Sequence, residues 1–134
     1  MSSEITAMYD GDMSARVGLP DSGEVATSAP VSCGGTGAGP SPKDLFLAGY
    51  ASCVVMAMDV AAKKAGFSIA GAKIAVSPVW APNGAALEAI EAKLVLPRQY
   101  TDEQLDVLRK GECYCPIHNS LRPEVQTSLT FVDK

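Results

Sequence analysis

The feature that most constrains the fold is a long apolar segment in the first half of the chain. Residues 45–58 carry no charge, and no proline follows Pro42 until well after Gly66. Ser41 and Asp44 have the spacing of a helix-capping box, and Pro42 suits the first helical position. Gly66 is a typical residue beyond a helix end, so the segment predicts one helix of about 36 Å. Because its central part is apolar on every side, we expect it to be buried nearly all round.

Charge and hydropathy argue against several classes of function. The chain of 134 residues has a net charge of −4 and no cluster of Lys and Arg, a poor match to nucleic acid or anionic lipid. Asp59 interrupts the apolar run before it is long enough to cross a bilayer, and the first residues lack the basic and apolar regions of a signal peptide. We therefore expect a cytoplasmic protein that binds neither nucleic acid nor membrane. In that compartment its four cysteines are free, catalytic or metal-bound rather than paired in structural disulfides.

The remaining chain combines short strands with one further helix. Turn residues divide the N-terminal region into two or three short strands and a Gly-rich loop. The pair Asn83-Gly84 predicts a hairpin, and Thr101 caps a second helix. The strands predicted after the long helix cover 72–80, 86–96 and 124–132.

These elements predict an α+β fold in which the long helix packs on antiparallel sheets. We expect a single domain over residues 1–134, because the sequence shows no repeat and no linker. Its N-terminal strands and Gly-rich loop occupy 1–40. The central helix, the hairpin, the second helix, a Cys-Pro turn and the final strand occupy 41–134.

The cysteines are the candidates for chemistry. Cys53 lies in the middle of the apolar helix, where a cysteine alone is most often a small core residue with a raised pKa. A functional role would require a partner thiol. Cys115 precedes Pro116 and is placed to cap a short helical turn, where backbone N–H groups favour a thiolate; an ordinary thiol in a turn is the alternative. Cys33 lies in the Gly-rich loop without an evident partner.

Other sites have weaker support in the pattern. Cys113, Cys115 and His118 offer zinc ligands, but their first spacing is shorter than that of usual zinc sites. His118 could activate Cys115 as in a cysteine hydrolase, although no third group follows in the sequence. The chain has no C-x-x-C redox motif, and the Gly-rich loop lacks the spacing of nucleotide-binding loops.

Two segments together resemble the OsmC/Ohr family, the osmotically inducible and organic hydroperoxide resistance proteins. They are GPSPKDLFLAGYASCVVMAMDVAAKKAG, which is similar to the central helix of that family, and CPIHNSL, which is similar to its second cysteine segment. The resemblance implies an intertwined homodimer that reduces organic hydroperoxides by thiol chemistry. It implies that Cys53 is the peroxidatic nucleophile, that Cys115 is the resolving thiol, and that a lipoyl-type dithiol is the reductant. No metal or other cofactor is implied.

The chain departs from the family pattern beside the helix proline. Lys43 stands where hydroperoxide-reducing members carry a glutamate, and Asp44 is assigned to the capping box. Arg16 is the candidate for the arginine that accompanies that glutamate. The apolar helix offers side chains for the organic part of a peroxide, or simply for the core: Leu45, Phe46, Tyr50 and Met56. A small-ligand-binding protein of the same fold, with non-catalytic cysteines, is the alternative.

Overall fold

The computed structural model describes residues 4–133 and divides the chain into two compact units, Met1–Phe46 and Leu47–Lys134. The first unit contains an antiparallel three-stranded sheet in the order β1-β2-β3. The short strands expected in this region are therefore present, and residues 4–46 contain three of them. They are β1 (Thr6–Gly11), β2 (Ser14–Leu19) and β3 (Gly23–Ser28).

The Gly-rich loop that follows β3 has a packing reason for its glycines. A Cβ atom at Gly35 would lie 2.0 Å from the carbonyl oxygen of Ala29, so only glycine fits there. A Cβ atom at Gly39 would lie 3.1 Å from the carbonyl oxygen of Ala26. The loop folds closely over its own preceding strand, which accounts for its composition.

The long helix α1 begins at Pro42 and ends at Lys64, as the capping residues predict. The Ser41 amide donates to the Asp44 carboxylate, and the Asp44 amide donates to the Ser41 hydroxyl, each at 3.1 Å. The predicted capping box is confirmed. The elements that complete the second unit are β4 (Lys73–Trp80), β5 (Leu87–Leu96), α2 (Asp102–Gly111), a 3-10 turn (Glu112–Tyr114), α3 (Pro116–Asn119) and β6 (Gln126–Asp133).

The second sheet is mixed, whereas we expected antiparallel pairing throughout. β4 and β5 form the predicted antiparallel hairpin, but β6 pairs with β5 in parallel. The chain between β5 and β6 includes α2, the 3-10 turn and α3, and this crossover is long enough to return the chain to the same end of the sheet. The crossover carries the second cysteine segment.

One face of α1 forms the core of the second unit. Its Tyr50, Val54 and Met58 pack in one cluster with strand residues such as Ile90 and Leu94. Cys115 belongs to the same buried cluster. The helix thus brings its own cysteine segment and the Cys-Pro turn into one core.

The opposite face of α1 is open, which corrects the expectation that the helix is buried nearly all round. Met56 is 66% exposed and Val60 is 45% exposed. By length and composition alone α1 is also apolar enough to cross a membrane, contrary to the sequence argument, but core helices pass the same test. An apolar face left exposed on a core helix is a surface that favours burial against another chain.

Candidate thiol site

The two cysteines singled out by the resemblance lie next to each other. Cys53 is half-buried in α1, and Cys115 is fully buried with an exposed fraction of 0%. The Cys53 thiol lies near enough to Cys115 to affect its pKa, through a side-chain hydrogen bond and through its charge. Both thiols are free, and so are Cys33 and Cys113, which are exposed.

A glycine at the end of α2 allows the chain to deliver Cys115 to this position. Gly111 is buried, and a Cβ atom there would lie 3.0 Å from Cα of Met58 and 3.2 Å from Cβ of Ala61. The backbone of α2 therefore approaches α1 more closely than a side chain would permit. The 3-10 turn follows directly, and Cys115 comes immediately after it.

The surroundings of Cys115 work against its thiolate. Its sulfur accepts a hydrogen bond from the backbone N–H of His118 at 3.3 Å, as expected for the first residue of a helical turn. Burial nevertheless raises the pKa of Cys115, and the interaction with Cys53 raises it further. The predicted capping position of Cys115 is confirmed, and its amides lower the pKa as expected. The loss of solvent outweighs them, so the net shift favours the alternative of an ordinary thiol.

A second contact joins the Cys-Pro turn to α1. The hydroxyl of Tyr50 lies 3.3 Å from Nδ1 of His118, and the two rings are tilted by 38°. The same nitrogen lies 3.5 Å from Oε2 of Glu112. Burial raises the pKa of Tyr50 to about 12, and the charge of Glu112 contributes to the rise. His118 thus lies between a buried phenol and a carboxylate.

The two contacts have the same spacing on both elements. Cys53 lies three residues after Tyr50 on α1, and His118 lies three residues after Cys115 in the turn. Cys53 meets Cys115 while Tyr50 meets His118, so the short helix α3 docks on α1 at two points in an antiparallel sense. Residues three apart on a helix share a face, and this face of α1 carries both contacts.

The open side of Cys53 faces a shallow groove of about 330 Å³. Its walls are apolar side chains of α1 and the ring of Tyr114, whose face is covered by the Lys64 ammonium at 4.6 Å. Small apolar molecules fit such a surface better than charged ones. The residues that line the groove are Ser52, Cys53, Met56, Ala57, Val60 and Tyr114.

Two further predicted site residues, Arg16 and Lys43, belong to the first unit of the chain. Arg16 pairs with Asp10 in the first sheet, at 2.9 Å between Nε and Oδ2. Its role toward a thiolate stays a prediction, as does any role of Lys43. Within residues 4–133 no three His, Cys, Asp or Glu side chains are grouped so that they could hold a metal ion. Cys113 is exposed in the 3-10 turn, and Asn119 donates to its carbonyl oxygen at 2.8 Å.

Sequence reasoning missed the polar neighbours of the thiols. The sequence pattern assigns no role to Glu112, offers His118 as a metal ligand, a base or a turn residue, and offers Tyr50 as apolar surface or core. A signal was available, because Tyr50 lies one helical turn before Cys53 and therefore shares its face. The pairing of Glu112 with His118 had no such signal, since it depends on the shape of the turn.

The family described as OsmC-like protein matches residues 35–130. An uncharacterised protein of Acinetobacter baylyi is 29% identical over 114 residues, which cover 81% of this chain and 78% of that protein. An organic hydroperoxide resistance protein of Xanthomonas axonopodis pv. citri is 30% identical over 110 residues, covering 78% and 75%.

Solved structures agree with the fold. A Psychrobacter arcticus protein described as an osmotic stress induced and detoxification response protein superposes with a TM-score of 0.87 at 23% identity. The alignment covers 98% of this chain and 96% of that one. The α+β fold class and the resemblance stated from the two sequence segments are both confirmed.

Proposed function

The chain belongs to the OsmC-like protein family, and from this premise we propose that it reduces organic hydroperoxides in defence against oxidative stress. Cys53 is the nucleophile in this proposal, and Cys115 is the thiol that resolves it. The observation that carries the proposal is the contact between a half-exposed thiol on α1 and a fully buried one in the turn. The similarity to an organic hydroperoxide resistance protein supports the choice of substrate.

The first step is oxidation of Cys53 by the peroxide. The thiolate sulfur attacks the terminal oxygen of ROOH, the O–O bond breaks, and the alkoxide takes up a proton to leave as the alcohol ROH. Cys53 becomes a sulfenic acid, so the sulfur is oxidised by two electrons and the peroxide is reduced by two. The groove beside Cys53 offers an apolar surface for the R group.

The second step joins the two sulfurs. The sulfur of Cys115 displaces the hydroxyl of the Cys53 sulfenic acid, and its thiol proton leaves with that hydroxyl as water. An external dithiol, which the family resemblance suggests is of the lipoyl type, then returns both cysteines to thiols by two exchange reactions and is itself oxidised to a disulfide. No metal or other cofactor enters this cycle.

The exposed face of α1 supports a homodimer as part of the proposal. Met56 and Val60 are large apolar residues that water covers in the single chain, and both line the groove beside Cys53. A second copy seated on this face would remove them from solvent and would bound the groove. In this proposal the protein acts as a homodimer in the cytoplasm.

The residue at position 43 affects the rate of turnover that we expect. A lysine replaces the glutamate that the resemblance implies in hydroperoxide-reducing members. We therefore expect slower turnover than in relatives with that glutamate.

The test is a titration of the reduced protein with cumene hydroperoxide, with thiols counted and disulfides mapped by peptide mass. The proposal expects two thiols to be lost and a Cys53–Cys115 link to appear. A Cys33→Ser, Cys113→Ser variant is the matched control and should behave identically, because both residues are exposed and outside the pair. Survival of all four thiols in excess peroxide would leave the groove as a small-ligand site and would exclude the peroxidase.

A further inference from the structure

The strongest unassigned feature of the chain is the polar cluster beside the thiols. Glu112, His118 and Tyr50 come from three different elements and meet at one nitrogen, Nδ1 of His118. Tyr50 is 1% exposed and belongs to the core. The proposed chemistry uses none of these side chains. A buried hydroxyl is normally hydrogen-bonded, and for Tyr50 the partner is the ring of His118.

His118 has two attachments of different kind. Its backbone N–H donates to the sulfur of Cys115, and its ring contacts the hydroxyl of Tyr50. The residue therefore connects the sulfur of the turn to the helix that carries Cys53. Since α3 has only one turn, its orientation depends on side-chain contacts: the His118 ring on Tyr50 and the Ile117 side chain, which packs against the same core.

Glu112 favours one position for the hydrogen on the imidazole ring of His118. A carboxylate oxygen 3.5 Å from Nδ1 favours a hydrogen on that nitrogen, in either the neutral or the charged imidazole. With that tautomer the oxygen of Tyr50 accepts from the same nitrogen at 3.3 Å, and Glu112 is a charged neighbour at 3.5 Å. Both partners hold the ring in one orientation, and the backbone N–H of the same residue is held with it.

We infer that His118 is a positioning residue for disulfide formation: its ring, fixed by Tyr50 and Glu112, holds the Cys-Pro turn so that Cys115 remains in reach of Cys53. The inference rests on the proposed pairing of Cys53 with Cys115. Effective concentrations of a positioned group fall sharply when its geometry loosens, so the contact acts on the rate and on the equilibrium of ring closure.

The test measures ring closure without any peroxide. In a Cys33→Ser, Cys113→Ser background, the fraction of Cys53–Cys115 disulfide is determined in glutathione redox buffers of known composition. This gives the effective concentration of one thiol at the other. Tyr50→Phe removes one oxygen atom and little else, and His118→Leu removes the ring nitrogens at similar size.

Each of these two variants is expected to lower the effective concentration roughly tenfold, as for the loss of one buried hydrogen bond. The double variant should fall little further, because both changes break the same contact. His118→Asn keeps a polar atom near the place of Nδ1 and should recover most of the loss. Asn119→Ala is the structural control, since the bond that it removes joins the side-chain amide to the Cys113 carbonyl within the same turn.

Several results would overturn the inference. Unchanged effective concentration in Tyr50→Phe and His118→Leu would show that the contact does not position Cys115, and an increase would show that it holds the reduced thiols apart. An equal loss in Asn119→Ala would reduce the effect to general turn stability. If His118→Leu does not fold, Tyr50→Phe with His118→Asn decides the question.

The proposed function and the inference fail in different ways. In peroxide, the variants should oxidise Cys53 at the rate of the starting protein, while its sulfenic acid, trapped with dimedone, should persist roughly tenfold longer. Suppose that peroxide does not oxidise Cys53 but that the variants lower the effective concentration in glutathione buffers as expected. The positioning role of His118 is then supported, and the proposed peroxidase activity is refuted.

Discussion

The hydroxyl of Tyr50 lies 3.3 Å from Nδ1 of His118, although 68 positions separate the two residues in the chain. This contact lies beside the one between Cys53 and Cys115, with the same spacing of three residues on each element. Together they attach a turn of four residues to the core helix. The Tyr50–His118 contact, which takes no part in the proposed reaction, thereby keeps the turn beside α1, where the sulfurs of Cys53 and Cys115 are proposed to form and break their bond.

The pKa of Tyr50 should respond to the charge of Glu112. Burial and the carboxylate both raise this pKa, to about 12, so Glu112→Gln should lower it while leaving it above the ordinary value of 10.0. The phenolate absorbance of the folded protein, followed with rising pH, measures the change. Tyr50→Phe identifies which part of the signal belongs to this residue. An unchanged titration in Glu112→Gln would mean that the carboxylate does not act on the phenol.

The free energy of unfolding should decrease with alkaline pH because of the same phenol. The folded pKa of Tyr50 is raised above the unfolded value of 10.0, so its contribution is complete below pH 10 and is lost as the pH rises toward about 12. Urea denaturation at several pH values checks this. Tyr50→Phe should show a shallower decrease over the same range, and equal slopes would contradict the prediction.

The two cysteines of the pair should differ when each is replaced alone. In the Cys33→Ser, Cys113→Ser background, Cys53→Ser should lose all reaction with cumene hydroperoxide, because the remaining thiol, Cys115, is buried and has a raised pKa. Cys115→Ser should still react once and should then proceed to a sulfinic acid at Cys53, since no thiol intercepts the sulfenic acid. Intact-protein mass, which records the added oxygen atoms, distinguishes the two. Peroxide reaction in Cys53→Ser at the original rate would reverse the assigned roles.

Two glycines of the second unit should respond oppositely to alanine. Gly111→Ala places a methyl group 3.0 Å from Cα of Met58 and should destabilise the protein by about 1–3 kcal/mol through overpacking. Gly49→Ala meets only the Ile117 side chain at 4.0 Å and should stabilise the helix by up to about 1 kcal/mol. Thermal and urea unfolding measure both. Similar effects in the two variants would show that helix propensity, not the close approach of α2, governs Gly111.

The exposed face of α1 should determine the oligomeric state. Met56→Asp and Val60→Lys place charges on the surface proposed to lie against a second copy, and burial of such charges is costly. Light scattering after size exclusion should show a dimer for the starting protein and a monomer for each variant. Val79→Lys, at an exposed position on β4, is the matched control and should remain dimeric. A monomeric starting protein would refute the proposed assembly.

The sequence by itself determined where the long helix and the hairpin form, and which reactive side chains the chain carries. The bounds of α1 follow from residues next to one another, such as the Ser41–Asp44 capping box, and the hairpin was predicted from Asn83-Gly84. The resemblance of the helix segment and the Cys-Pro segment identified both the family and the two thiols worth examining. Each of these features depends on residues that are close together in the chain, so the spacing of residue types is enough to predict it.

The tertiary structure decided what surrounds those thiols. The parallel pairing of β6, the open face of α1 and the meeting of Glu112, His118 and Tyr50 depend on how distant segments pack. The raised pKa of Cys115 is the clearest case, because its local position favours a thiolate while burial beside Cys53 disfavours it. Solvent exclusion is a property of the whole core, and no spacing in the sequence records it.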